Sequence, residues 1–247
     1  MLQHDFLLLD RSGSMGLGNM MTEAVNSINV YVEELAKKNV DTGVTLIVFD
    51  SINPFEIVRD RITPKTWRKI TVDEVAPRGG TPLNDATIRM IQHAKLGAPW
   101  GQKYDRVAIA IMTDGEENAS QEYSRLSGGT EKVKRELDIC REMGWQVIML
   151  GAGFDNQKQA FSYGSTKNAT VETSAVNYGT TMRSMAGKRA MYATSGVGMS
   201  FTAEEKAALK STTAVDLNDL PQNDTTTITQ TFESGVTTTT GVKNTTV

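Results

Sequence analysis

Phe6-Leu7-Leu8-Leu9-Asp10-Arg11-Ser12-Gly13-Ser14-Met15 is the stretch that decides the fold. Its first four residues form a short continuous apolar run, the pattern of a strand buried on both faces. The run stops at a carboxylate, and two hydroxyls follow it at steps of two. Residues 20 to 38 come next, with Met21, Val25, Ile28, Val32 and Leu35 recurring every three or four positions. That is the period of an amphipathic helix. A buried strand, a polar loop and a helix in succession make the opening unit of an α/β fold.

The same alternation continues along the chain. Val44 to Phe49 is rich in β-branched residues, and Phe55 to Ile62 alternates as an edge strand does. Pro82 to Leu96 reads as a helix with Leu83, Ala86, Met90, Ile91 and Ala94 on one face. Val107 to Met112 is another buried strand. Thr130 to Met143 reads as a helix carrying Val133, Leu137 and Cys140, stopped by Gly144. Val147 to Leu150 is a further strand, Thr170 to Thr173 a short last one, and Tyr178 to Tyr192 a last helix. Strands separated by helices of ten or more residues predict a doubly wound, mostly parallel central sheet with helices on both faces. Sites in such sheets form beyond the carboxyl ends of the strands. The residues after Leu9, Met112 and Leu150 are therefore the place to look for function.

The domain organisation expected is a domain over 1–200, a short helix and linker over 201–220, and a tail over 221–247. Thr202 and Glu205 stand at capping-box spacing ahead of the short helix. In the tail, 11 of the 23 residues from Thr225 to Val247 are threonine, too polar a composition to build a core alone. Threonine favours extended structure, so the segment reads either as a flexible or partner-ordered tail or as a β extension.

Bulk composition excludes several classes. A net charge of −3 gives no overall drive toward nucleic acid or an anionic membrane. The single cysteine, Cys140, rules out an internal disulfide framework and reads as a small buried hydrophobe. No apolar run approaches the ~20 residues of a membrane span, and no secretory signal is visible. The expected location is the cytoplasm, with a virion component as the alternative. Four N-x-S/T sequons, including Asn118, follow from the abundance of threonine and serine.

The loop after the first strand, Asp10, Ser12 and Ser14, offers one carboxylate and two hydroxyls. These are hard oxygen donors that suit Mg2+ or Mn2+. A second donor, Thr81, follows paired glycines in Arg78-Gly79-Gly80-Thr81-Pro82-Leu83, at a helix N-terminus. A third loop, Met112-Thr113-Asp114-Gly115-Glu116, places Asp114 at the end of the central strand. No dinucleotide or P-loop glycine spacing occurs. His4 and His93 are the only histidines, and neither is expected beside Ser12 or Ser14. His93 is read as a surface residue, and Glu116 and Glu117 as a solvated turn, with a second acidic shell around the site as the alternative. Trp145 is read as core, and Trp100 as a candidate partner anchor in a loop.

Taken together, Asp-x-Ser-x-Ser at 10–14, Thr81 in Gly-Gly-Thr-Pro-Leu and Thr-Asp-Gly at 113–115 resemble the von Willebrand factor A family. The resemblance covers roughly residues 1 to 195 and is similar to compact stand-alone bacterial and phage members. It implies a metal-ion-dependent adhesion site. Ser12 and Ser14 would be direct ligands and Thr81 a direct or water-mediated one. Asp10 and Asp114 would bind the ion or hold its waters. The family leaves one coordination position for an acidic group of a protein partner. The function expected is metal-dependent protein binding without turnover, because no general base or nucleophile accompanies the site. A virion or assembly component, or a regulatory subunit of an ATPase or kinase system, are the alternatives.

Overall fold

Among the described residues, six strands form one sheet: β1 Gln3–Asp10, β2 Gly43–Phe49, β3 Glu56–Ile62, β4 Arg106–Thr113, β5 Gln146–Gly151 and β6 Thr170–Glu172. Their order across it is β3-β2-β1-β4-β5-β6. The helices are α1 Met20–Lys37, α2 Leu83–Leu96, α3 Gly129–Glu142, α4 Phe154–Ser162, α5 Tyr178–Ser195 and α6 Ala203–Ser211. The computed structural model describes residues 1–98, 101–151, 154–172 and 177–211. Trp100 and the 221–247 tail lie outside the described residues.

All strand pairs are parallel except β2–β3, where the edge strand runs antiparallel. The doubly wound α/β architecture expected from the sequence is the one observed. Alternate side chains of each buried strand feed two cores, as period-two alternation requires. Leu7, Leu9, Leu46, Val48, Ala110, Met112 and Leu150 pack on one face with α1 and α5. Phe6, Leu8, Ile47, Ile109, Ile111, Val147 and Met149 pack on the other with α2, α3 and α4. Cys140 and Trp145 are buried in this second core.

Helix ends follow from local chemistry. Asn39 adopts φ of 51° after α1, and the Val40 amide reaches back to the Leu35 carbonyl at 3.0 Å. Gly144 adopts φ of 81° after α3, and the Trp145 amide bonds the Cys140 carbonyl at 3.0 Å. Both are left-handed caps that use carbonyls the helix leaves unpaired. Thr202 and Glu205 exchange side-chain-to-amide bonds at 2.7 and 3.2 Å, the reciprocal box that starts α6. Helix α6 packs on the domain: Leu209 is buried and Glu205 pairs with Lys188 at 2.8 Å.

One fully buried ion pair ties the sheet to α5. Arg189 Nε donates to Asp5 Oδ1 at 2.6 Å, and neither side chain is exposed. Tyr31 and Thr42 hydroxyls complete the shell of Asp5 at 2.8 and 3.1 Å. Among the described residues no helix is long and apolar enough to cross a membrane.

Candidate metal centre

The centre begins where β1 ends. Asp10 is fully buried, and its Oδ1 accepts the Ser12 amide at 2.7 Å. That bond curls the loop back within two residues, so Ser12 and Ser14 turn toward one point. Their hydroxyls stand 3.1 Å apart. Met15 is fully buried below them and anchors the short 3-10 turn over Gly13–Gly16.

Thr81 is delivered by a second loop stitched to the first. The Gly13 amide donates to the Gly79 carbonyl at 2.9 Å, and the Arg78 amide to the Arg11 carbonyl at 2.7 Å. Gly79 has φ of 69°, and a Cβ there would meet Ser51 Oγ at 2.6 Å. Only glycine fits both demands. Thr81 is held by backbone bonds on both sides: its amide donates to Asn118 Oδ1 at 2.8 Å, and its carbonyl accepts the Asn118 amide at 3.1 Å.

The third loop closes the site from β4, the strand beside β1. Thr113 Oγ1 donates to Asp10 Oδ2 at 2.7 Å. Ser14 Oγ donates to Asp114 Oδ1 at 2.9 Å. A Cβ built on Gly115 would sit 3.6 Å from Thr81 Oγ1 and 3.9 Å from Ser14 Oγ. The structure thus brings together all five residues singled out in the sequence: Asp10, Ser12, Ser14, Thr81 and Asp114.

Three residues that sequence reasoning passed over support this assembly. Thr113 orients Asp10, and Asn118 clamps Thr81. Glu117 is buried, which corrects the expectation of a solvated turn for 116–117. Its carboxylate accepts the amides of Asn84 at 2.6 Å, Ala119 at 3.0 Å and Ser120 at 2.8 Å, and the Ser120 hydroxyl at 2.7 Å. A carboxylate at the start of α2 satisfies amides a helix leaves unpaired and suits its dipole. Glu116 is half-exposed and pairs with Arg125 at 3.5 Å.

Burial pushes the Asp10 carboxyl up to about 7; the Ser12 and Thr113 hydrogen bonds oppose this, and the Asp114 charge adds to it. Asp114 is raised as well, by burial first, with the Ser14 bond opposing. Two neighbouring carboxylates held away from water make a site that a cation would relieve. The donor spacing fits one. Six oxygens at ~2.0–2.1 Å around Mg2+ put neighbouring donors ~2.9–3.0 Å apart. The Ser12–Ser14 and Ser14–Asp114 hydrogen bonds, at 3.1 and 2.9 Å, already hold three of these oxygens at about that separation. Among the described residues no group of three Asp, Glu, His or Cys side chains is placed to hold a metal ion. A centre here rests on two carboxylates and three hydroxyls.

Both histidines lie elsewhere. His4 is at the opposite end of β1, buried, with Nε2 2.8 Å from Thr45 Oγ1. His93 is half-buried rather than a plain surface residue. Its ring lies 6.1 Å from Phe6 and 5.8 Å from Phe55, because α2 turns that face toward the sheet edge.

Known structures share this architecture. A von Willebrand factor type A protein from Catenulispora acidiphila superposes with a TM-score of 0.51 at 14% identity, over 76% of this chain and 42% of that one. The vWF domain of the type V pili tip protein Mfa5 from Porphyromonas gingivalis gives 0.56 at 11% identity, over 79% and 97%. The PilB minor pilin from Streptococcus sanguinis gives 0.50 at 13%, over 77% and 61%. The fold is therefore of the von Willebrand factor A type. The chain spans less than two thirds of the length of the Catenulispora and Streptococcus chains. No protein-family model matches the sequence, and no curated protein matches it.

Proposed function

We propose that this protein is a metal-dependent protein-binding module. It holds Mg2+ or Mn2+ with Asp10, Ser12, Ser14, Thr81 and Asp114 and captures an acidic group of a protein partner. The observation that carries this reading is the meeting of three loops at Ser14 and Gly115, with donor oxygens at the spacing of an octahedral edge. A bound ion would supply an electrophile for a partner carboxylate where Asp10 or Asp114 holds it through water, so that neutral hydroxyls make up most of its direct shell. The chain's own residues do the remaining work. Asp10 fixes the loop, Thr113 and Asn118 hold the first and second loops in register, and Glu117 fixes the turn beyond Asp114. The pilus proteins among the structural neighbours support an adhesive role, and the reading involves no turnover.

Calorimetric titration of Mg2+ and Mn2+ into EDTA-stripped protein tests it. Saturable binding in the wild type, lost in Ser12→Ala and Asp114→Ala proteins that keep their circular dichroism, is the expected result. Absence of binding of either ion to the wild type refutes the reading.

A further inference from the structure

Three polar atoms at the N-terminal end of α5 are buried without a hydrogen-bond partner among the described residues: Oδ1 of the capping residue Asn177, Tyr178 OH and Thr181 Oγ1. Tyr178 and Thr181 are fully buried side chains three positions apart, so their hydroxyls share one face of the helix. Orphaned buried hydroxyls are rare enough to require a cause, commonly a bound water or ion.

Their place in the fold supplies one. Helix α5 leaves the sheet after β6, at the edge where the parallel strands end. Lower down, Arg189 grips Asp5 at 2.6 Å and Gln3 at 3.0 Å, both at the opposite end of β1. The helix therefore runs antiparallel to β1 beneath the centre. Eleven residues of helix, from Arg189 back to Tyr178, climb ~16 Å. The five residue steps of strand from Asp5 to Asp10 climb a matching ~16 Å. Tyr178 thus stands level with Asp10. Consistently, its phenol is pushed well up from the ordinary value by burial first, then by the charges of Asp114 and Asp10.

We propose that Tyr178, with Thr181 one turn below it, is a positioning residue of the metal centre, holding a buried water that bridges α5 to the carboxylates of Asp10 and Asp114. The proposal rests on the metal-binding reading above. The stereochemistry allows it. Asp10 accepts the Ser12 amide and the Thr113 hydroxyl, and the Ser12 hydroxyl also acts on it, so a carboxylate with about four acceptor sites keeps one free. A buried water needs two to four polar partners, and two hydroxyls with a carboxylate supply three. Such a water would fix the direction of the carboxylates before a cation arrives. Outer partners of metal ligands typically govern ~10–100-fold of affinity.

The test uses the full chain, stripped with EDTA, as wild type, Tyr178→Phe and Thr181→Val. Mg2+ and Mn2+ affinities are read by calorimetry and metal-free melting temperatures by circular dichroism. Both variants are expected to bind the ions ~10–100-fold more weakly. Their metal-free melting temperatures should fall by only ~2–4 °C, the loss of about one hydrogen bond to the bridging water. Affinities within twofold of wild type in both variants overturn the proposal. So does a fall in affinity that comes with loss of the folded circular dichroism spectrum at the titration temperature, which would make the hydroxyls structural. A wild type that binds neither ion overturns the metal reading itself, and this proposal with it.

Discussion

Raising the pH of the metal-free protein from 5 to 8 should draw stability out of it through Asp10. The carboxyl sits at about 7 in the folded chain against 3.8 ordinarily. A raised folded value favours the protonated form, so its contribution is complete below the unfolded value and is lost as pH rises through 7. The full loss is ~4 kcal/mol, of which about 2–3 kcal/mol falls between pH 5 and 8. For a domain of this size that is ~5–10 °C in melting temperature. His4 works the other way. Burial first, then the charges of Arg61, His93 and Arg189, lower it to about 3. Its contribution is present above the unfolded value of 6.5 and is lost as pH falls toward 3. The wild-type profile therefore mixes two opposed terms, and the informative quantity is the difference from Asp10→Asn. Asparagine still accepts the Ser12 amide but carries no charge. Urea unfolding in EDTA at pH 5, 6, 7 and 8 should show Asp10→Asn gaining about 2–3 kcal/mol on the wild type across the range. Saturating Mg2+ should remove the wild type's loss. Parallel pH profiles for the two metal-free proteins would refute the account of Asp10 as a buried carboxylate awaiting a cation.

Ser14→Ala removes the hydroxyl that touches both Ser12 and Asp114. Mg2+ affinity measured by calorimetry should fall by more than ~10-fold, while this partly exposed position costs the metal-free fold less than ~1 kcal/mol. Arg189→Met strands the Asp5 charge in the core and should cost ~3–5 kcal/mol in urea unfolding, most of it recovered in the Asp5→Asn/Arg189→Met double variant. Glu117→Ala leaves the amides of Asn84, Ala119 and Ser120 without an acceptor. Amide exchange should accelerate at those three positions, with ~2–3 kcal/mol lost overall.

The strands and long helices were legible in the sequence because burial repeats with a period. Leu7 and Leu9 face one core and Phe6 and Leu8 the other, and a run apolar at every position can only be buried on both sides. Helix α4 was missed: Phe154–Ser162 is nine residues, too short to declare a period in the sequence. The five residues of the centre were legible because each stands at a strand or helix end. Their supports were not. Glu116 and Glu117 look alike in sequence, and what separates them is the amide of Asn84, 33 positions earlier. Asn118 drew notice only within a sequon, yet its side chain holds Thr81 across 37 residues. Such pairings are set by where loops meet, and no local pattern encodes them.

The Thr113–Asp10 bond spans 103 positions and joins the two middle strands of the sheet. It has a consequence for how the chain acquires function. Long-range closure is the slow part of folding, because the entropy of the intervening loop is lost before the contact rewards it. A nascent chain that has emerged only through residue 100 holds four of the five donor residues and lacks the strand that orients them. On the proposed metal-binding function, competence for metal should arrive late and abruptly, with β4. The centre would then serve as a readout of completed folding, silent in every partial intermediate that has not yet inserted β4 beside β1.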